Sequence, residues 1–296
     1  MAILPAYQDI WHRVVSFTSL CAGAADGLQI HNVVPKDIQA QYNIIGKRVL
    51  LTDFAGRDSI AACMEILRDE SVDTVIPVGD TVPSRYGDSD SYSNNWDYLA
   101  YLMERNHPSV DLKPWFLIDG QEFWKTLNER YVDDITEKYG WFTPCIGCHF
   151  HFYAMRSILV RILGHDTILV SGEKKLHSNG KRKANQTDAA VSAYSQFSSA
   201  QGVDHRFPIH HFDSEGQIVS LIGERWEEGR SQMSCIHSGN DRDNLGRLKY
   251  TDKQISEMMI DYILPMGRKY IDLKSDVKNE DDYWSALDTF SDNLLQ

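Results

Sequence analysis

Between Lys47 and Phe212 the chain alternates short β-rich runs with longer runs of helical periodicity, and this restricts the fold more than any other feature. "KRVLLTDF" (47–54), "VDTVIPVGD" (72–80), "KPWFLIDG" (113–120) and "DTILVSG" (166–172) are apolar, largely β-branched runs bounded by Gly or Asp, the pattern of buried parallel strands. "DSIAACMEILRDE" (58–70) places Ile60, Ala61, Met64, Ile66 and Leu67 on one face of a helix. "NWDYLAYLMERNH" (95–107), "QEFWKTLNERYVDDITEKYG" (121–140), residues 144–164 and "NQTDAAVSAYSQFSSA" (185–200) also read as helices, and "HRFPIHHF" (205–212) as extended. Repeated βαβ units specify an α/β fold, doubly wound around a mostly parallel sheet, with a helical C-terminal appendage. Ligands of such sheets bind where loops gather at the carboxyl ends of the strands.

Three segments follow from this reading: an N-terminal helical extension (1–46), the α/β domain (47–240) and a helical, acidic C-terminal segment (241–296). The apolar positions Ile10, Trp11, Val14, Val15 and Phe17 suit a helix, and the last 25 residues suit a surface helix or frayed tail. No apolar run approaches the roughly 20 residues that span a bilayer, and the first residues lack the basic and apolar regions of a signal peptide. A soluble, cytoplasmic protein with no membrane partner is expected, and a homodimer is left open. The net charge of −12, from 42 acidic and 30 basic residues, argues against a dedicated nucleic-acid binder. One stretch, "EKKLHSNGKRK" (173–183), is locally basic with five Lys/Arg.

At "LLTDFAGRDSIAA" (50–62) a strand runs into a helix through small residues. A helix N-terminus offers free N–H groups to an anion, and Ala55 and Gly56 let phosphate approach the backbone. Arg57 adds positive charge, and the Ser59 hydroxyl can donate to a phosphate oxygen. The plain alternative is that Asp58 or Ser59 only caps the helix. The spacing is not that of a Walker A loop. Asp80, at the end of the second strand, reads most simply as a solvated turn residue.

Of five cysteines, Cys145 and Cys148 form a Cys-x-x-Cys at the mouth of a helix, with His149 and His151 next to them; Cys235 sits in "SCIHSGN" with His237. An odd number without an export signal argues against a disulfide framework. A zinc site, a redox or persulfide-carrying pair, and an iron–sulfur cluster on three cysteines are each compatible with this set. Cys21 and Cys63 read as core residues. His205, His210 and His211 read as surface or core residues.

"FAGRDS" (54–59) resembles the S-G-G-x-D-S loop of the PP-loop ATP pyrophosphatases, whose fold is adenine nucleotide alpha-hydrolase-like. It keeps Gly56, Asp58 and Ser59, and departs at Phe54, usually Ser, and Ala55, usually Gly. The order of Pro-Cys-x-x-Cys and a distant third Cys resembles the tRNA 2-thiocytidine and 2-thiouridine thiolation enzymes of that family. The resemblance covers residues 47–240. It implies ATP and Mg²⁺ at Phe54, Ala55, Gly56, Arg57, Asp58 and Ser59, with Asp80, Ser171, Gly172 and Lys183 also binding nucleotide. It implies catalytic roles for Asp58, Glu173 and Cys235, and a [4Fe-4S] cluster on Cys145, Cys148 and Cys235, with Zn²⁺ as the alternative. The family's Asp-Asp pair is absent from 171–188, where Glu173, His177 or Asp188 could replace it and Lys181 and Asn185 could touch triphosphate or substrate. The implied activity is ATP-dependent sulfur transfer: adenylation of a carbonyl oxygen, release of pyrophosphate, and insertion of sulfur from a donor. Its substrate would be a tRNA base or a small nucleobase-like metabolite. An amidating or nitrile-forming ligase with structural zinc and a non-catalytic nucleotide-binding module are the competing readings.

Overall fold

A computed structural model of the chain describes residues 4–164, 166–175, 181–224, 232–276 and 280–296. The strands β1 (Val14–Ser16), β2 (Val49–Asp53), β3 (Thr74–Thr81), β5 (Asp111–Leu112), β6 (Phe116–Asp119), β7 (Thr167–Val170) and β8 (Asp204–Arg206) form one sheet. Their order is β1-β6-β3-β2-β7-β8, with β5 beside β3, and every pair is parallel. Two residues each of β4 (Arg85–Tyr86) and β9 (Ser234–Cys235) form a separate antiparallel ribbon.

Successive residues along each strand enter different cores, so the sheet is covered on both faces. Val49, Leu51, Ile76 and Val78 pack with α1 (Phe17–Ala25), α4 (Gln121–Asn128), α6 (Pro144–Leu163) and α7 (Asp188–Ala200). Leu50, Val75, Leu117 and Val170 pack with α2 (Arg57–Asp69), α3 (Asp90–Asn106) and α8 (Glu215–Ile222). The doubly wound α/β sheet expected from the alternation is present. From β2 the chain moves outward to β3 and β6, then returns across β2 to β7. The carboxyl ends of β2 and β7 therefore flank the point where the strand order reverses, the usual crevice for a ligand.

Two local expectations are corrected. Residues 10–17 are not one helix: a 3₁₀ segment, Pro5–Arg13, leads into β1, which pairs with β6 at the sheet edge. Sheet pairing overrides the helical periodicity there. Residues 121–140 form two helices, α4 and α5 (Val132–Tyr139). At the break, Arg130 Nε and Tyr131 Oη bond Asp288 at 2.9 and 2.8 Å, so a distant carboxylate holds the backbone away from helical continuation. The acidic tail is helical, as expected, and one face of it is buried. It forms the end of α10 (Leu264–Asp276) and α11 (Glu280–Leu295), and Tyr283 and Leu287 are buried in the main core.

α6 is buried on nearly every side, as its almost uninterrupted apolar sequence requires. α10 crosses it at Gly267, where a Cβ would lie 2.1 Å from the ring of Phe150, itself fully buried. Gly267→Ala is therefore expected to destabilise by about 1–3 kcal/mol through overpacking, outweighing the roughly 1 kcal/mol that Ala gains in a helix. Urea denaturation measures this, and Phe150→Leu in the same chain should recover part of the loss.

Candidate functional site

The Phe54–Ser59 turn leaves β2 at the crevice and starts α2. The N-cap is Gly56 and no side chain caps the helix, so Asp58 and Ser59 lie inside the first turn instead of capping it. A helix start of this kind can present its first-turn amides to an anion. Two glycines let other parts of the chain close on this turn. A Cβ on Gly56 would lie 2.3 Å from the Gln232 side chain, and one on Gly172 would lie 2.5–2.6 Å from the backbone of Asp58 and Ser59. The loop after β7 thus packs directly on the start of α2. The resulting cavity of about 200 Å³ is lined by Asp53, Ala55, Gly56, Arg57, Asp58, Ser59, Arg85, His149, Phe152, Gly172, Glu173, Lys183, Gln186 and Gln232.

Glu173 is buried and is a hydrogen-bonding hub. Its Oε1 accepts from Tyr153 Oη and meets His149 Nδ1 at 2.5 Å, and its Oε2 accepts from Asn185 at 3.2 Å. Burial opposes its ionisation, but His149, Tyr153 and Gln186 together pull its pKa down to about 2. The carboxylate holds His149 at the cavity wall. Behind the turn, Glu215 bridges Arg57 and the fully buried Lys174, each at 2.5 Å. Lys175 instead pairs with Asp188, which also meets His210, away from the cavity lining.

Several expected site residues take other positions. The Phe54 side chain is in the core against Tyr92, not in the cavity. Ser171 is buried and bonds His205, which continues to Ser198. Asp80 is not a solvated turn residue: it is 1% exposed within β3 and pairs with Arg156 beneath the cavity. Arg156, fully buried on α6, also bonds Asp53 Oδ1 and the carbonyl of Val78, each at 2.9 Å. A parallel sheet buries both faces of its strands, which is why a polar residue at a strand end can be covered. Ala55, Gly56, Arg57, Asp58, Ser59, Gly172, Glu173 and Lys183 do line the cavity, whereas His177 lies outside the described residues.

The three motif cysteines are neighbours. Pairing in the ribbon sets Cys235 opposite Arg85. Burial, Asp241 and Cys235 push the Cys145 thiol up to about 11; burial also raises Cys148, against the pull of Trp124 and Arg85, with Cys235 and Cys145 raising it further. Burial, the largest cause at both, keeps these thiols protonated, so a thiophilic centre bound there would displace their protons. Among the described residues, however, no group of three or more His, Cys, Asp or Glu is arranged to hold a metal ion. Cys21 and Cys63 are buried core residues, and desolvation raises both thiols to about 12. Among the described residues no helix is long and apolar enough to cross a membrane.

No family model matches the sequence. Over 219 residues it is 31% identical to a Methanocaldococcus jannaschii protein described as "Uncharacterized protein MJ0009", covering 74% of this chain and 78% of that one. The chain belongs to the family of that archaeal protein. The U34-tRNA thiolase NcsA from Methanococcus maripaludis with its [4Fe-4S] cluster is similar at a TM-score of 0.32 and 11% identity, over 94% of this chain and 80% of that one. A likeness that low transfers neither fold nor role, so the functional reading rests on the geometry of this family member.

Sequence reasoning missed Arg85, Arg156, Tyr153, Glu215 and Gln232. Arg156 carried a usable signal: a charge inside the apolar run "FHFYAMRSILV" (150–160) needs a buried partner. Burial and Asp53 raise the Asp80 carboxyl to about 7 against the pull of Arg156. The folded chain then keeps a proton that the unfolded chain releases near 3.8, so this contribution to stability is full below pH 3.8 and is lost as pH rises to about 7. Asp80→Asn should therefore gain stability relative to the parent as pH rises through that window, measured by urea titration at each pH. Glu173 acts in the other direction, and its contribution is lost only as pH falls from 4.5 to about 2.

Proposed function

We propose that the chain is an ATP-dependent enzyme of the PP-loop pyrophosphatase type, a cytoplasmic sulfur transferase acting on a tRNA base or a small nucleobase-like substrate. The observation that supports this reading is the start of α2 at Gly56, at the sheet's switch point, with Ala55, Gly56, Arg57, Asp58, Ser59 and Lys183 lining one cavity. The amides of Arg57, Asp58 and Ser59 and the Ser59 hydroxyl would bind the β- and γ-phosphates of ATP. Asp53 and Asp58, which line the cavity, would hold Mg²⁺ on the phosphate oxygens. The substrate's carbonyl oxygen attacks the α-phosphorus, and pyrophosphate leaves toward α2. A sulfur nucleophile derived from a separate donor then displaces AMP.

Glu173 acts through His149, fixing the imidazole on the cavity wall next to the reacting groups. Cys145, Cys148 and Cys235 would hold a [4Fe-4S] cluster, which when bound would supply an iron site open to sulfur. The donor set is all thiol, which suits such a group.

Pyrophosphate release from ATP with tRNA or free nucleobases as acceptors tests the reading; no release with any acceptor would favour a binding module. Ser59→Ala removes one hydrogen bond to a charged group, worth about 1.5–3 kcal/mol, and should lower kcat/KM for ATP roughly 10–100-fold. Anaerobic purification with iron and sulfide analysis tests the cysteines. Single Cys→Ala changes at 145, 148 or 235 should each abolish visible absorbance and sulfur transfer, while Cys21→Ala and Cys63→Ala should leave the absorbance intact. A colourless protein carrying Zn²⁺ would remove the sulfur step and leave ATP activation, as in a ligase.

A further inference from the structure

The oxygens that meet the Phe54–Ser59 turn in the free chain come from α8 and the stretch after it. Glu215, the first residue of α8, meets both Lys174 and Arg57 at 2.5 Å. The two cations are not equivalent. Lys174 is fully buried, so its ammonium needs a carboxylate in any state of the protein. The Arg57 side chain is 28% exposed at the cavity wall and reaches Glu215 from the turn itself. Lys174 and Glu215 balance as a pair, which leaves Arg57 as the surplus charge, met also by Asp58 at 3.4 Å. Release of Arg57 from Glu215 therefore leaves a neutral pair behind, and a partly exposed ion pair is cheap to exchange.

Gln232 covers the same turn. Gly56 has a φ of 177°, extended backbone that any residue adopts, so a glycine is needed there only for close approach. A Cβ on it would strike Oε1 of Gln232 and lie 3.3 Å from the Cβ and Cδ of that side chain. The neighbouring Met233 is buried in one core with Ile60 of α2 and anchors the backbone, whereas Gln232 is exposed and its side chain is free to swing. The atom nearest the helix start is the carbonyl oxygen, the end of the amide that the positive N-terminal field attracts. The cavity of about 200 Å³ is also smaller than the roughly 300–1,000 Å³ of ordinary small-molecule sites, as expected where the chain's own side chains fill part of it.

We propose that the turn is self-occluded: in the free chain Glu215 and Gln232 present their own oxygens to it, and an entering phosphate group takes both places, drawing Arg57 off Glu215 and displacing Gln232 from Gly56. This rests on the ATP-dependent reading above and adds a regulatory device to the same site. A neutral ligand such as a nucleoside has nothing to offer Arg57 and leaves the turn covered. A phosphate ligand opens it, at an apparent affinity reduced by the fraction of chains that are open beforehand.

Calorimetric titration of Mg²⁺-pyrophosphate and Mg²⁺-ATP into the full chain tests the device. Gln232→Ala uncovers Gly56 and should tighten both roughly threefold to tenfold, because more chains are already open. Gln232→Glu sets a charged oxygen in the same place and should weaken both by about tenfold or more. Glu215→Gln keeps an acceptor for Lys174 but loosens Arg57, so it should tighten binding, and that gain should vanish when Arg57→Gln is added. Unchanged or weaker binding in Gln232→Ala overturns the occlusion, weaker binding marking Gln232 as a direct contact of the ligand. A gain in Glu215→Gln that persists without Arg57 overturns it as well. If Glu215→Gln does not fold, as judged by near-UV circular dichroism, the two Gln232 variants decide the matter. None of these results touches ATP activation. If the parent chain and Gln232→Ala both bind neither ATP nor pyrophosphate, the ATP-dependent reading falls and the occlusion with it.

Discussion

The guanidinium of Arg156 ties the middle of α6 to the ends of β2 and β3 through Asp53, the Val78 carbonyl and Asp80. The rest of the site depends on this contact. α6 also presents Cys145, His149 and Phe152 at intervals of four and three residues ahead of Arg156, so one helical face runs from the thiols to the clamp. With one cation shared by two carboxylates in a water-poor interior, each partner is needed by the others. Loss of the cation alone would strand buried negative charge. The same contact sets the depth at which α6 lies against the strand ends, and so the distance from the cysteines to the Phe54–Ser59 turn.

The second constraint is the near contact between the loop after β7 and the first turn of α2. Gly172 has no side chain because the backbone of Asp58 and Ser59 occupies that space. This joins two strands that are neighbours in the sheet but more than a hundred residues apart in sequence. It also brings Glu173, with His149 in its grip, against the turn. A larger cleft of about 670 Å³, lined by residues such as Met64, His107 and Leu221, lies elsewhere. Its charged pair, Arg68 and Glu65, is satisfied internally.

The strands at 47–54, 72–80 and 166–172 were legible because both faces of a parallel sheet are buried and the code for that is a short apolar run between breakers. The turn at 54–59 was legible as a choice between a cap and an anion site. Local sequence cannot separate the two, since Asp and Ser serve both roles; the structure puts the N-cap at Gly56, so neither Asp58 nor Ser59 caps the helix. Asp80 was misread because "VGDT" looks like a turn, whereas its partner Arg156 lies 76 residues away.

The amino-acid sequence by itself determined the α/β class, the places where strands pass into helices, and which side chains could handle phosphate or sulfur. These follow from periodicity and from the chemistry of single residue types, both local properties. Only the tertiary structure decided which of those residues share a cavity, because that depends on strand order and on how closely backbones approach. It set Gln232 over Gly56, Arg85 opposite Cys235 and Arg156 between two carboxylates. Each of these pairings joins residues whose separation along the chain carries no signal of their contact. Their cause is burial: charges removed from water must find partners wherever the fold places them.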